Sequence, residues 1–241
     1  MLIDNMGCTP FDLHVHTNQV SCCGKLPAEH IVRLYKASEY GGIFITDHLN
    51  RYTFERLCAP EGGDWHDLKI SWEEFVYRYE AGYKAAKAEG DRIGFTVYPG
   101  IEIALDSGPE DYLIWGADEE FLLRHPMIHT LSLEELYKVT REENLPLIQA
   151  HPMRDYLSMM PFEFLDGYEV FNGAGEDYNH NIKAQAVVDQ IEGAAQTGGS
   201  DAHAENTLLR SGMWLPADIS DYKELARYII KYNKELKIIR H

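Results

Sequence analysis

Residue types that bind metal ions recur directly after separate apolar runs of this chain. They lie in the motifs F-D-L-H-V-H-T, I-T-D-H, P-G-I-E-I, Q-A-H-P and G-G-S-D-A-H. His14 and His16 share one face of a predicted strand, because side chains two residues apart point the same way. One such pair could serve packing, but five histidines and two carboxylates in these positions are costly to bury unless they are paired or bind metal. The pattern predicts a polynuclear metal site and hence a hydrolase.

The elements that position these residues follow from the hydrophobic pattern. Short β-rich runs alternate with segments of helical period, which is typical of β-α units around a mostly parallel sheet. We predict strands near 11–15, 43–46, 96–103, 112–115, 146–150, 168–171 and 195–197, and helices near 27–40, 72–89, 133–143, 181–192 and 220–232. Helix starts are predicted at Pro27, Ser132 and Ser220, and helix ends at Gly41, Gly90 and Gly193. Seven strands predict an α/β barrel slightly smaller than the eight-stranded form, with every motif above at the carboxyl ends of strands.

Composition and charge narrow the class of protein. The 241 residues, 45% hydrophobic and 25% charged, predict one globular domain over 1–241. No apolar run approaches the ~20 residues of a membrane span, and the start lacks a signal-peptide pattern, so we expect a cytoplasmic protein. The net charge of −17 disfavours nucleic acid and membrane partners and leaves the oligomeric state open. The four cysteines show no C-x-x-C spacing, and free thiols are expected.

The motifs, together with A-H-P-M-R and E-V-F-N-G, occur in an order that resembles the PHP family, named for polymerases and histidinol phosphatases. The resemblance covers nearly the whole chain. It implies a distorted (β/α)7 TIM-like barrel and a metal-dependent phosphoesterase activity. It leaves open whether the enzyme is histidinol-phosphatase-like or a nucleotide phosphoesterase.

The resemblance also implies a ligand set for two metal ions. His14 and His16 would bind a first metal, shared with Glu102 as a bridging carboxylate and with Asp201. His151 would bind a second metal together with Glu102. Imidazoles and carboxylates suit Zn²⁺, Mn²⁺ or Fe.

One position departs from the family pattern. Many members supply a histidine where this chain has Asp111, in E-D-Y-L-I-W-G. Asp111 could coordinate and would favour a harder metal, or it could cap a turn. His129 is a reserve candidate for this ligand, with a surface histidine as the alternative.

A third metal would use His48 and His203 plus one residue of the loop after His16. In V-S-C-C-G-K, Cys23 matches the family pattern for this ligand better than Cys22, which is the alternative. A thiolate would favour Zn²⁺ or Fe, whereas a small buried cysteine would have no metal role. The cofactor prediction is therefore two or three divalent ions of Zn, Mn or Fe.

Further polar residues could support this site. Asp12 and Asp47 could orient ligating imidazoles through their second ring nitrogens, or cap turns. Asn172 could position substrate or backbone. Weaker anion-binding candidates are Arg51, Lys25 and Arg210. The stretch 51–70, with Trp65 and His66, could form a lid over the barrel mouth or a simple solvated excursion.

Arg154 lies three residues after His151 and could bind a phosphate, because a guanidinium matches phosphate oxygens bidentately. Alternatively, Arg154 neutralises the acidic site through Glu169 or Asp155.

The resemblance and the residues together predict hydrolysis of a small-molecule phosphate ester, with Arg154, Asp201 and His203 as catalytic residues. Arg154 would stabilise charge on phosphate, and His203, Asp201 or a bound water would protonate the leaving group. One alternative is an amidohydrolase-type barrel, which also begins with H-x-H, although no lysine follows a strand here to form a bridging carbamate. The other is a non-catalytic metal-binding regulatory module, which Asp111 and Cys23 keep open.

Overall fold

The computed structural model describes residues 7–59 and 70–241. Its strands are β1 Cys8–Val15, β2 Gly42–Ile45, β3 His48–Leu49, β4 Thr96–Ala104, β5 Asp111–Trp115, β6 Ile148–Gln149, β7 Gly167–Asn172, β8 Ala195–Gly199, β9 Ser211–Pro216 and β10 Lys237–Arg240. Its helices are α1 Ala28–Ala37, α2 Arg51–Cys58, α3 Trp72–Tyr79, α4 Ala81–Ile93, α5 Glu119–Arg124, α6 Leu133–Glu142, α7 Glu176–Asn179, α8 Asn181–Val188 and α9 Tyr222–Lys231. No helix in these two ranges combines the length and apolarity that crossing a membrane requires.

The strands form a nearly closed, barrel-shaped sheet. Their order is β10-β9-β1-β2-β4-β5-β6-β7-β8, and β3 pairs with β4. The seven predicted strands are β1, β2 and β4 to β8, and they are neighbours in that order. β5 runs antiparallel to β4 and β6, whereas β1-β2, β2-β4, β6-β7 and β7-β8 are parallel pairs. The predicted distorted TIM-like α/β barrel is confirmed.

β1 changes partner along its length. Its first half, from Cys8 to Phe11, pairs antiparallel with β9. Its end forms a parallel bridge from Val15 to Ala202, in the segment after β8. The amide of His16 donates to the carbonyl of Ala202 at 3.0 Å. The barrel therefore closes at the carboxyl ends of its strands, where the metal-ligand motifs lie.

The core packs strands against helices on both sides of β1. Trp115 is fully buried, and its indole Nε1 donates to the carbonyl of Leu13 at 2.9 Å. In a second buried cluster, Ile31 of α1 and Ala86 of α4 pack with Val97 of β4. Burying side chains as large as Ile31 and Val97 contributes roughly 1.5–3 kcal/mol each, which stabilises the packing of the strands.

Some predicted boundaries are wrong. The single helix predicted over 72–89 is two helices that meet at Glu80, and Gly90 lies inside α4 rather than at its end. α4 ends at Gly94, whose φ is 67°. Gly90 has a packing role instead, because a Cβ there would lie 2.6 Å from the carbonyl oxygen of Phe95.

The predicted lid coincides partly with a helix. Residues Arg51–Cys58 form α2, whose N-cap Asn50 accepts from the amide of Thr53. Trp65 and His66 lie outside the described residues.

Candidate metal centre

The candidate ligands lie together at one edge of the sheet. They come from the ends of β1, β4 and β6, from the loop after β1, from the segment after β8, and from the first residues of β3 and β5. Because β5 is antiparallel, its first residue faces Ala104 at the edge where β4 ends. The structure brings together all nine predicted ligands: His14, His16, Cys23, His48, Glu102, Asp111, His151, Asp201 and His203.

Glu102 is the centre of this cluster. Its Oε1 lies 3.1 Å from His14 Nε2 and 3.0 Å from His151 Nε2. Its Oε2 lies 2.8 Å from His48 Nδ1 and 3.3 Å from His16 Nε2. The side chain is completely buried. One carboxylate thus faces four imidazoles, which is the arrangement a bridging ligand needs.

Asp201 is a second carboxylate beside the first two histidines. Its Oδ1 is 3.5 Å from His14 Nε2, 3.3 Å from His16 Nε2 and 3.2 Å from His203 Nδ1. Its φ of 52° is in the left-handed region, which is uncommon for a non-glycine residue. Such strained residues concentrate at functional sites.

Several buried atoms of the cluster have no hydrogen-bond partner among the described residues. They are His14 Nε2, His16 Nε2, His48 Nδ1 and Glu102 Oε2. Unpartnered buried polar atoms are costly, and here they converge on one another. The ligand atoms form three groups within 4.8 Å: His14, His16, Glu102 and Asp201; His16, His48 and His203; and His48, Glu102 and Asp111. This donor set fits divalent cations.

The charges within the cluster shift the pKa values of its carboxyl groups. Burial alone would raise the pKa of Glu102, but the adjacent His14 and His48 outweigh it and hold that pKa well below its ordinary value. Burial and the Glu102 charge both raise the pKa of Asp111, to about 6. A cation beside Asp111 would oppose both effects.

Glu169 supports two of the histidines, although the sequence suggested it only as a partner of Arg154. Its Oε1 accepts from His14 Nδ1 at 3.0 Å, and its Oε2 accepts from the amide of His151 at 3.1 Å. Asn172 Nδ2 donates to Glu169 Oε2 at 2.8 Å and to Asp201 Oδ2 at 3.2 Å. β7 has a register shift between Glu169 and Phe171, which lets two residues three apart act together. The E-V-F-N-G motif was the available signal.

The model of the PHP domain matches residues 12–241 of this chain. The chain belongs to the PHP domain family. The sequence resemblance is thereby confirmed. The three groups of metal-type ligands all lie within the matched residues.

Solved structures share this fold at low identity. A two-domain protein from Bacteroides vulgatus, described as containing a predicted PHP-like metal-dependent phosphoesterase, aligns with a TM-score of 0.62 at 14% identity, over 97% of this chain and 65% of that one. PsfC from Pseudomonas syringae aligns with a TM-score of 0.61 at 17% identity, over 98% and 93%. The lesion-specific endonuclease PfuEndoQ from Pyrococcus furiosus aligns with a TM-score of 0.60 at 15% identity, over 96% and 57%. This PHP domain thus spans less than two thirds of the Bacteroides and Pyrococcus chains. A search of curated protein sequences finds no match.

In this PHP domain Asp12 supports the backbone rather than an imidazole. Its Oδ1 accepts from the amides of His14, at 3.1 Å, and Ser200, at 2.9 Å, and its Oδ2 accepts from the Tyr35 hydroxyl at 2.5 Å. The prediction that Asp12 orients a ligating ring is wrong. Its side chain instead ties β1 to the segment after β8.

Asp47 is connected to His16 through the hydroxyl of Ser21. It accepts from the amide of Thr17 and from the Ser21 hydroxyl, both at 2.7 Å. Ser21 Oγ in turn lies 3.3 Å from His16 Nδ1. Asp47 therefore positions His16 indirectly.

Arg154 is held at the edge of the cluster by Asp201. Its Nη2 donates to Asp201 Oδ2 at 2.6 Å, and its Nε donates to Asn179 Oδ1 at 2.7 Å. The suggested pairing of Arg154 with Glu169 or Asp155 is wrong, because those carboxylates bind His14 and His180. The guanidinium is therefore adjacent to the ligand carboxylate itself.

Cys23 lies beside the ligand group of His16, His48 and His203. Burial raises the pKa of its thiol, but hydrogen bonds with His203 and His48 outweigh burial and lower that pKa to about 6. Cys22 and Cys23 are both exposed free thiols, so Cys23 is not the small buried cysteine of the alternative reading.

The reserve and weaker candidates lie elsewhere. His129 is buried rather than on the surface, with its ring 5.2 Å from that of Phe54, and it belongs to none of the three ligand groups in the described residues. Arg51 pairs with Glu55 at 3.0 Å. The Nε of Arg210 donates to a backbone carbonyl. Lys25 has an exposed side chain, and its amide donates to the carbonyl of His203 at 2.7 Å.

Proposed function

We propose that this PHP domain hydrolyses a small-molecule phosphate ester at a di- or trinuclear centre of Zn, Mn or Fe. The convergence of unpartnered imidazole and carboxylate atoms on Glu102, with a guanidinium at the edge, carries the proposal. The net charge of −17 supports a small phosphorylated substrate over a nucleic acid. We take residues 1–241 as one barrel domain.

The three ligand groups would hold the cations. Glu102 would be shared between the ions. His151 would be a further ligand of the ion held by Glu102 and Asp111. Cys23 would be a further ligand of the ion held by His48 and His203. Divalent cations would lower the pKa of bound water and place positive charge beside the phosphate oxygens.

Arg154 would bind the phosphate directly. Burial would lower its pKa, but Asp201 outweighs burial and raises that pKa, so the guanidinium stays charged. Its contacts with Asp201 and Asn179 hold the plane of the guanidinium before substrate arrives. A preorganised cation at this edge stabilises the charge that develops on the nonbridging oxygens.

In a dinuclear centre, in which His203 would bind no cation, His203 is the better placed of the two proton-transfer candidates. Its side chain is 23% exposed, whereas that of Asp201 is 3% exposed. A leaving-group oxygen can therefore reach His203, while Asp201 orients its ring through a contact of 3.2 Å. Asp201 would act as ligand and orienting group together.

The test combines metal analysis with turnover. Protein purified without chelator should contain two or three equivalents of Zn, Mn or Fe and hydrolyse a chromogenic phosphomonoester or phosphodiester. Glu102→Ala removes the shared ligand, so we expect activity to fall by at least about 100-fold and metal content to drop. Glu192→Ala, at an exposed position, is the matched control.

Two results would contradict this proposal. Substoichiometric metal without hydrolysis after reconstitution would favour the regulatory module. Cleavage of a DNA oligonucleotide in preference to the small esters would replace the substrate class.

A further inference from the structure

Two exposed tyrosines lie side by side next to Arg154. Tyr156, in the segment after β6, is 59% exposed, and Tyr178, on α7, is 41% exposed. Their ring centroids are 6.3 Å apart, with an angle of 51° between the planes. Two large rings that remain open to solvent at one place are available to a ligand.

The side chain of Arg154 connects the rings to the candidate metal centre. The Arg154 guanidinium lies 4.9 Å from the centroid of the Tyr178 ring and donates to Asp201 at 2.6 Å. Tyr156 also interacts electrostatically with Tyr178 and with Arg154. A phosphate bound at Arg154 would therefore have its alcohol portion within reach of both rings.

The position of the rings is set by contacts beneath them. Asn179, next to Tyr178, is 1% exposed, accepts from Arg154 Nε and donates to Asn172 Oδ1 at 2.9 Å. His180 Nε2 lies 2.6 Å from Asp155 Oδ1, which joins the end of α7 to the Tyr156 segment. Preorganised rings lose little freedom on binding, so stacking on them gives a larger net gain.

We propose that Tyr156 and Tyr178 form a stacking platform that selects phosphate esters whose leaving group carries a planar aromatic ring. The inference rests on the proposed phosphoesterase function. A planar π system stacks on tyrosine in an offset or edge-to-face arrangement, which a puckered aliphatic ring of the same size does not reproduce. Tyr156 and Tyr178 are thus specificity-determining residues, and Arg154 places the phosphate.

Benzyl phosphate and cyclohexylmethyl phosphate separate stacking from general activity. Both release a primary alcohol, and both carry a six-membered ring, which is planar only in the benzyl ester. We expect Tyr156→Ala to lower kcat/KM for the benzyl ester by about tenfold and for the cyclohexylmethyl ester by less than about twofold. Tyr156→Phe and Tyr178→Phe keep the ring and should keep the preference. Tyr77→Ala, at a 66% exposed tyrosine of α3, is the matched control.

Equal losses for the two esters in Tyr156→Ala would overturn the platform and leave the tyrosines as positioning groups for Arg154. Binding of benzylphosphonate and cyclohexylmethylphosphonate, measured by calorimetry, tests the platform without turnover. Preferential binding of the benzyl compound that Tyr156→Ala abolishes would support the platform even if no ester were hydrolysed, and the proposed function alone would then be contradicted. Equal binding of the two phosphonates to the wild type would overturn the platform.

Discussion

At the scale of single residues, Glu169 has two separate roles. One oxygen accepts from the ring of His14 and the other from the backbone amide of His151, at 3.0 and 3.1 Å. A carboxylate on the second ring nitrogen sets the orientation and tautomer of a ligating imidazole. Glu169 is 1% exposed, so water cannot readily replace it.

Glu169→Gln should weaken metal binding by about 10- to 100-fold, because an amide cannot accept at both positions and makes His14 a poorer ligand. Competition with a chelating dye measures the change in affinity. Glu163→Gln, at an exposed position just before β7, is the control. Unchanged affinity in Glu169→Gln would remove Glu169 from the metal centre.

At the scale of elements, the junction of α3 and α4 buries an acid. The Glu80 amide donates to the carbonyl of Val76, and its carbonyl accepts from the amide of Lys84, both at 2.9 Å. The side chain is 4% exposed. Burial raises its pKa to about 8, although Lys84 acts in the opposite direction. The folded protein therefore holds a proton at Glu80 that the unfolded chain releases at lower pH.

This difference in proton affinity predicts the pH dependence of stability. The contribution of Glu80 is most favourable below the ordinary glutamate pKa of 4.5 and is lost as pH rises to about 8. Glu80→Gln removes the ionisation, so we expect it to raise the free energy of unfolding by roughly 2 kcal/mol at pH 8.5 and by little at pH 4.5. Urea unfolding at both pH values measures this, with Glu192→Gln as the exposed control. A gain of equal size at both pH values would contradict the burial argument.

At the scale of the whole molecule, the barrel depends on contacts at the carboxyl ends of its strands. The bridge from Val15 to Ala202 and the hydrogen bonds of Asp12 join β1 to the segment after β8. The ligand cluster spans the same closure, because His14 and Asp201 come from its two sides. Bound cations would therefore stabilise the folded barrel as well as support catalysis.

Metal removal should accordingly lower thermal stability. At a free metal concentration 100 times Kd, one bound cation adds about 2.7 kcal/mol to the free energy of unfolding. Scanning calorimetry with Mn²⁺ or Zn²⁺, and again after chelation, should show a higher Tm with metal in the wild type. The same titration of Glu102→Ala should give a much smaller rise in Tm. An equal rise in both proteins would place the stabilising cation elsewhere.

Seven of the ten strands in the described residues, and most of the helices there, could be predicted because local patterns specify them. The α6 start at Ser132 was predicted, and the structure shows a capping box with Glu135. β9 and β10 were not predicted. Their place depends on long-range pairing, such as Phe11 with Met213, that no local pattern reveals. β3 is too short to carry a period.

The ligand types, their placement after strands and the family resemblance could all be predicted from the sequence alone. Side-chain chemistry and hydrophobic period are local properties, and the chain carries them unfolded. The tertiary structure decided that Glu102 lies among four imidazoles, that Arg154 pairs with Asp201 and that Glu169 orients a ring 155 residues away. Such distances depend on strand register and barrel closure, which arise only when the whole sheet packs.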